Sequence, residues 1–127
     1  MTVLVDTDVL IDYLRGQRDT AAFLYSLGEP PMVSVITLAE LWAGARPGEE
    51  ARLRQALQVL RLAKVDATIA ERAGRLRRQF GPSHGTSLPD ALIAATAVEL
   101  GLTLVTLNER HFPMVEKLLV PYRKPAR

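Results

Sequence analysis

Cysteine is absent from this chain. That excludes disulfides, zinc–thiolate sites and thiol nucleophiles, and it suits a reducing compartment. Long apolar runs are missing too, since none approaches the roughly 18 residues that a membrane span needs. The N-terminus has no basic stretch leading into a long apolar segment, so no secretory signal is read there. The expected location is the cytoplasm, with no membrane partner. There is no internal repeat, low-complexity tract or linker, and Gly and Pro fall between periodic segments as punctuation. Charge of one sign is barely in excess, at +2 over 127 residues, although the pI is about 9.3. Most of the cations are arginine, which favours a phosphate-rich partner weakly.

What is present describes an ordinary globule, 48% hydrophobic and 24% charged. A chain of this length makes one domain with a real core, here residues 1–127 with a tail expected to fray from about residue 121. Apolar periodicity predicts strands over 2–5, 32–35 and 102–105, a short one at 64–65, and a last one at 118–121. It predicts helices over 7–14, 18–27, 37–45, 49–62, 67–80 and 88–100, with 81–87 as a loop. Strands alternating with helices call for a three-layer α/β/α structure around a mainly parallel sheet of about four to five strands.

The acids then acquire a geometry. Asp6 falls at the end of the first strand. Glu40 falls in the first turn of the helix after the second strand, and Asp90 in the first turn of the Ala-rich helix before the fourth. In a parallel sheet these positions crowd one edge, where ligands bind. Each acid also has a plain structural reading. Thr37 to Glu40 has the form of a capping box, Ser87 to Asp90 has a similar form, and Asp6 or Asp8 suits a helix cap. The helical faces argue for more than caps. Asp90 shares its face with Ile93, Ala94 and Ala97, and Glu40 shares its face with Leu41 and Gly44, so both acids lie on inward-facing stripes. Carboxylates gathered there repel one another unless a cation intervenes. Hard ions such as Mg2+ or Mn2+ prefer oxygen ligands of this kind, and with open positions they bind a phosphate oxygen and activate water. Asn108, beyond the strand "LTLVT", is either a turn residue or a neutral oxygen donor to the same site.

The segments "VDTDVLIDYLRG", "VSVITLAELWAGA" and "SLPDALIAATAVELGLTLVTLNERHF", in this order, resemble a PIN-domain ribonuclease. They are most similar to the VapC-type toxins of toxin–antitoxin pairs, over residues 2 to about 119. The resemblance implies a parallel sheet flanked by helices and an endoribonuclease dependent on Mg2+ or Mn2+. It implies Asp6, Glu40 and Asp90 as the catalytic, metal-holding acids and Asn108 as a fourth catalytic position, whose neutrality disfavours a second tightly bound metal. Thr7, Asp8 and Thr106 become near-site support, with Asp8 open between that role and a solvated cap. The implied partners are RNA, a second copy of the chain, and a VapB-type antitoxin whose tail can place a basic side chain among the acids. An RNA site needs a basic rim. Arg15 and Arg46 are the first candidates, followed by Arg75, Arg77, Arg78, Arg123 and Lys124, each of which also reads as part of a solvated face.

Three other readings stay open on sequence. "DTDVL" also looks like the first motif of haloacid-dehalogenase-type phosphatases, with Asp6 as nucleophile and Asp8 as general acid; the paired late acids of that family are absent. His84 and His111 can be cast as the acid and base of a metal-free ribonuclease that leaves a 2′,3′-cyclic phosphate. A non-catalytic PIN-like binding module is the third.

Overall fold

The structure, a computed structural model, describes residues 2–123. Its elements follow in chain order as β1 (Val3–Val5), α1 (Thr7–Leu14), α2 (Arg18–Ser26), β2 (Met32–Ser34), α3 (Val35–Ala43) and α4 (Glu50–Val59). After these come β3 (Arg61–Ala63), α5 (Ala67–His84), α6 (Leu88–Leu100), β4 (Thr103–Val105), a 3-10 turn (Glu109–His111) and β5 (Leu118–Leu119). The strands form one sheet in the order β3–β2–β1–β4–β5, and every neighbouring pair is parallel. This is the expected three-layer α/β/α arrangement.

Side chains alternate across β1. Leu4 joins Leu104, Ile93, Ala94, Ala97 and Phe112 on the α6 side, whereas Val3 and Val5 join Val9, Leu10, Leu41, Leu53 and Val105 on the α1–α4 side. A strand buried on both faces reads as an unbroken apolar run, which is why "VLV" shows no polar alternation. Small residues on α6 carry burial all round the helix. Ala94 and Ala97 face the sheet core, while Ala91 and Ala95 pack with Ile69 and Ala73 of α5. Ser87 caps α6 and Gly101 ends it in the left-handed region at φ +66°, as the sequence predicts.

Several boundaries differ from expectation. Helix α3 starts two residues early because Ser34, not Thr37, is its N-cap and accepts the Ile36 N–H. Thr37 is fully buried instead, and Glu40 sits in the second turn. Helix α4 ends at Val59, and the third strand is 61–63 rather than 64–65, paired with β2 from Met32↔Arg61 to Ser34↔Ala63. Helix α5 runs through the predicted loop to His84, with Pro82 in its last turn. There a proline deletes one hydrogen bond near an end where the helix stops anyway, and packing against α6 outweighs it. Fraying at 121 is not observed: the Tyr122 hydroxyl donates to Asp12 at 2.9 Å and bonds Thr20. Lys124 and the rest of the tail lie outside the described residues. Among the described residues no helix is long and apolar enough to cross a membrane.

Candidate active site

Strand order reverses at β1, with β2 and β3 to one side and β4 and β5 to the other. The crevice beyond the carboxyl ends of β1 and β4 is where such sheets bind ligands. Asp6 follows β1 there and Thr106 follows β4. The Asp6 N–H bonds Val105 O at 2.8 Å, which seats the residue between the two strand ends.

Asp6 is 5% exposed. Its Oδ1 accepts the Thr7 N–H at 2.8 Å, and its Oδ2 accepts the Thr106 hydroxyl at 2.8 Å. Burial pushes its pKa up to about 7, and the charges of Asp8 and then Asp90 add to the shift, against the two hydrogen bonds that lower it. Asp8 accepts the Leu107 N–H at 3.1 Å, which ties the start of α1 to the segment after β4. So Asp6, Asp8 and Asp90 share one electrostatic neighbourhood.

Glu40 joins through Thr7. The Thr7 hydroxyl lies 2.6 Å from Glu40 Oε1 and 3.0 Å from the Thr37 hydroxyl. Its single proton goes to the carboxylate, the stronger acceptor, which leaves Thr37 to donate to Thr7. Asp90 has two tasks. Its Oδ2 accepts the Ser87 N–H at 3.1 Å in a complete capping box, and it also lies 3.3 Å from His111 Nδ1. Asn108 anchors its N–H on Thr106 at 3.0 Å, and its side-chain nitrogen lies 2.8 Å from the same His111 nitrogen. A continuous chain of contacts thus runs from Glu40 through Thr7, Asp6, Thr106 and Asn108 to His111 and Asp90.

Two members escaped the sequence reading. Thr37 reads as a cap, and His111 as half of a metal-free acid–base pair. The available signal for His111 was its spacing of three from Asn108, which sets both side chains on one side of a tight turn. His84 does not join it: its ring packs edge-on against Phe80 at 5.8 Å and its Nδ1 lies 2.7 Å from Ser83 Oγ. Arg15 lines a cleft with Glu40 and Glu49, its Nε 3.8 Å from Glu49 Oε2. Arg46 lies exposed three residues past the end of α3. Arg75 pairs with Glu71 along α5, and Arg77 lies against Gly81.

The donor chemistry suits a hard divalent ion. A carboxylate whose pKa is raised by burial, with the charges of Asp8 and Asp90 adding to the shift, is what such an ion would relieve, and Mg2+ binds through one or two carboxylates and keeps its waters. Among the described residues, no group of three or more acidic or imidazole side chains is gathered to hold an ion as it stands. The residues therefore fit a water-rich ion on few direct ligands better than a closed protein cage.

Residues 3–118 match the family model described as "PIN domain". The chain belongs to the PIN domain family. Ribonuclease VapC10 of Mycobacterium tuberculosis is 41% identical over 127 residues, 98% of this chain and 96% of the relative. Ribonuclease VapC19 of the same organism is 40% identical over 123 residues, 94% of this chain and 98% of the relative. A solved toxin–antitoxin complex from Klebsiella pneumoniae contains a chain that superposes with a TM-score of 0.84 at 33% identity, covering 97% of this chain and 100% of that one. For this PIN domain the dehalogenase-type alternative falls away. Thr7→Val keeps the shape and deletes the hydroxyl that holds Glu40. It is expected to lower cleavage by about tenfold, and thermal stability by about 1–2 kcal/mol because buried Thr37 loses its partner. Initial rates and a melting curve on the same preparation check both.

Proposed function

We propose that this PIN domain is an endoribonuclease acting as the toxin of a toxin–antitoxin pair, and that it hydrolyses RNA with Mg2+ or Mn2+ held by Asp6, Glu40 and Asp90. The burial of Asp6 beside two other acids is the observation that carries the reading, because a folded protein retains such a repulsive arrangement only at a cost. When bound, the ion would polarise a phosphate oxygen and lower the pKa of water. The chain's own groups do the rest. Thr106 and the Thr7 N–H fix the Asp6 carboxylate, and Ser87 fixes that of Asp90. Glu40, with Oε1 committed to Thr7, keeps Oε2 to hold a water of the ion's shell and take that water's proton. Asn108 offers a neutral amide beside the acids, where another carboxylate would repel the phosphate.

The named relatives and the solved toxin–antitoxin complexes support the toxin assignment and an antitoxin partner. Tyr25 is 79% exposed and Val59 65%, beside an apolar groove of about 340 Å³ that also includes Leu10, Tyr13 and Pro31. An exposed apolar surface of this sort suits a protein partner of the VapB type. Assembly as a homodimer and a place in the cytoplasm belong to the same proposal.

The test is cleavage of a single-stranded RNA pool with end-group analysis. EDTA should abolish cutting, Mg2+ or Mn2+ should restore it, and the products should carry a 5′-phosphate and a 3′-OH. Cutting that survives EDTA and leaves a 2′,3′-cyclic phosphate would instead implicate His111. No cutting under any condition would return the chain to a binding module.

A further inference from the structure

Because β1, β4 and β5 are parallel, the chain leaving β5 emerges at the edge that holds the acids. It is strapped down there at two points. Tyr122 bonds Asp12 of α1 and Thr20 of α2. Arg123 reaches Glu109 at 3.4 Å, in the turn that follows Asn108. Beneath this strap lies an open cavity of about 290 Å³ lined by Leu107, Val120, Tyr122 and Arg123. Its floor residue, Leu107, donates its N–H to Asp8, and the preceding Thr106 holds Asp6. The cavity is thus one residue away from the carboxylates.

We propose that this cavity is a subsite for one base of a single-stranded RNA, adjoining the phosphate at the acids, with Arg123 on a neighbouring phosphate. The inference rests on the nuclease reading and names how that site takes its substrate. An aromatic ring and two aliphatic walls accept the face of a base, and bases splayed from a single strand are bound in this way. The acids repel the RNA backbone, so affinity has to come from groups set beside them. Arg123 is the cationic wall of the cavity, and its pair with Glu109 is exposed at both ends, 75% and 54%, so a phosphate can replace the carboxylate. The Tyr122 hydroxyl is spent on Asp12 and Thr20, which fixes the ring as a wall. The cavity has room for one base and is too short for a run of peptide side chains.

The experiment uses the full chain, with Val120→Trp to fill the cavity and Tyr122→Phe to free the strap while keeping the ring. Cut sites are mapped on a randomised single-stranded RNA with Mg2+, and affinity for the preferred 8-mer is measured by fluorescence anisotropy with Ca2+. The wild type should show a base preference at one position flanking the cut. Val120→Trp should flatten it and weaken binding about tenfold, and Tyr122→Phe should weaken binding about threefold, with both melting curves within a few degrees of wild type. An unchanged preference and affinity in Val120→Trp would overturn the subsite while leaving the nuclease reading intact. So would intact RNA binding with loss of antitoxin binding, which would give the cavity to the protein partner. If no RNA is cut but RNA binding still falls in both variants, the subsite stands and the nuclease reading fails.

Discussion

Asp6→Asn is expected to abolish RNA cleavage, by a thousandfold or more, and at the same time to make the metal-free protein harder to unfold. The two effects share one cause. Asp6 titrates near 7 in the fold against an ordinary value of 3.8. A carboxyl raised in this way is held neutral by the folded state where the unfolded chain would ionise it. As pH rises from about 4 to 7 the unfolded chain gives up its proton first, so folding stability falls. Above about 7 the whole penalty is present, on the order of 4 kcal/mol at most. Asparagine removes the charge, still accepts the Thr7 N–H, and leaves Thr106 a partner. At pH 8 in EDTA the variant should melt at least about 5 °C higher than wild type, with the gap closing as pH falls to about 4. Mg2+ should raise the melting temperature of wild type and leave that of the variant nearly unmoved, because only the wild type binds it well. A variant that melts lower than wild type at pH 8 without metal would mean that Asp6 is a structural cap and not a carboxylate whose charge is penalised by burial and neighbouring acids. The expected loss of rate corresponds to about 4 kcal/mol of transition-state stabilisation, so stability and activity trade against each other at one side chain.

How far the sequence reveals this fold depends on whether local and global signals agree. Helix α6 was readable to the residue because Ser87, Asp90, the alanine-rich body and Gly101 all point the same way. β1 and α1 were readable for the same reason. At α3 the local signal points to Thr37 as the cap, whereas the structure caps the helix with Ser34 and turns Thr37 inward to Thr7, thirty positions away. The reach of α5 through Pro82 was hidden because its support is the α6 surface, which no local pattern contains. The same limit applies at the candidate site. Asp6, Glu40 and Asp90 are candidates from their expected place at strand ends and helix starts, whereas His111 meets Asp90 only through tertiary structure, across 21 residues and a capping box. Contacts made by hydroxyls and imidazoles carry no periodicity, so a sequence reading passes over them.

Phe112→Ala should be the most damaging core substitution for activity. Phe112 is 2% exposed and packs with Leu4, Ile93, Ala94 and Leu104. Truncating it should cost about 3–5 kcal/mol through lost burial and the cavity left behind, which is more than 10 °C in melting temperature for a chain of this size. Its position adds a functional effect that the stability loss alone does not explain. The turn that carries Asn108 and His111 is a single 3-10 turn, closed by His111 N–H to Asn108 O at 3.1 Å and Phe112 N–H to Glu109 O at 3.0 Å. Beyond those bonds, Thr86 holds the His111 carbonyl at 2.8 Å, and the buried Phe112 ring is the apolar anchor. Without that anchor the turn is free to shift, and His111 loses its fixed approach to Asp90. Measured at a temperature where the variant is still folded, cleavage should fall by tenfold or more. Ile69→Ala, in the α5–α6 cluster at 4% exposure, is the control: a comparable stability loss with the rate kept within about threefold. Equal rate losses in the two variants at matched folded fraction would show that the turn needs no anchor of its own and that activity follows global stability alone.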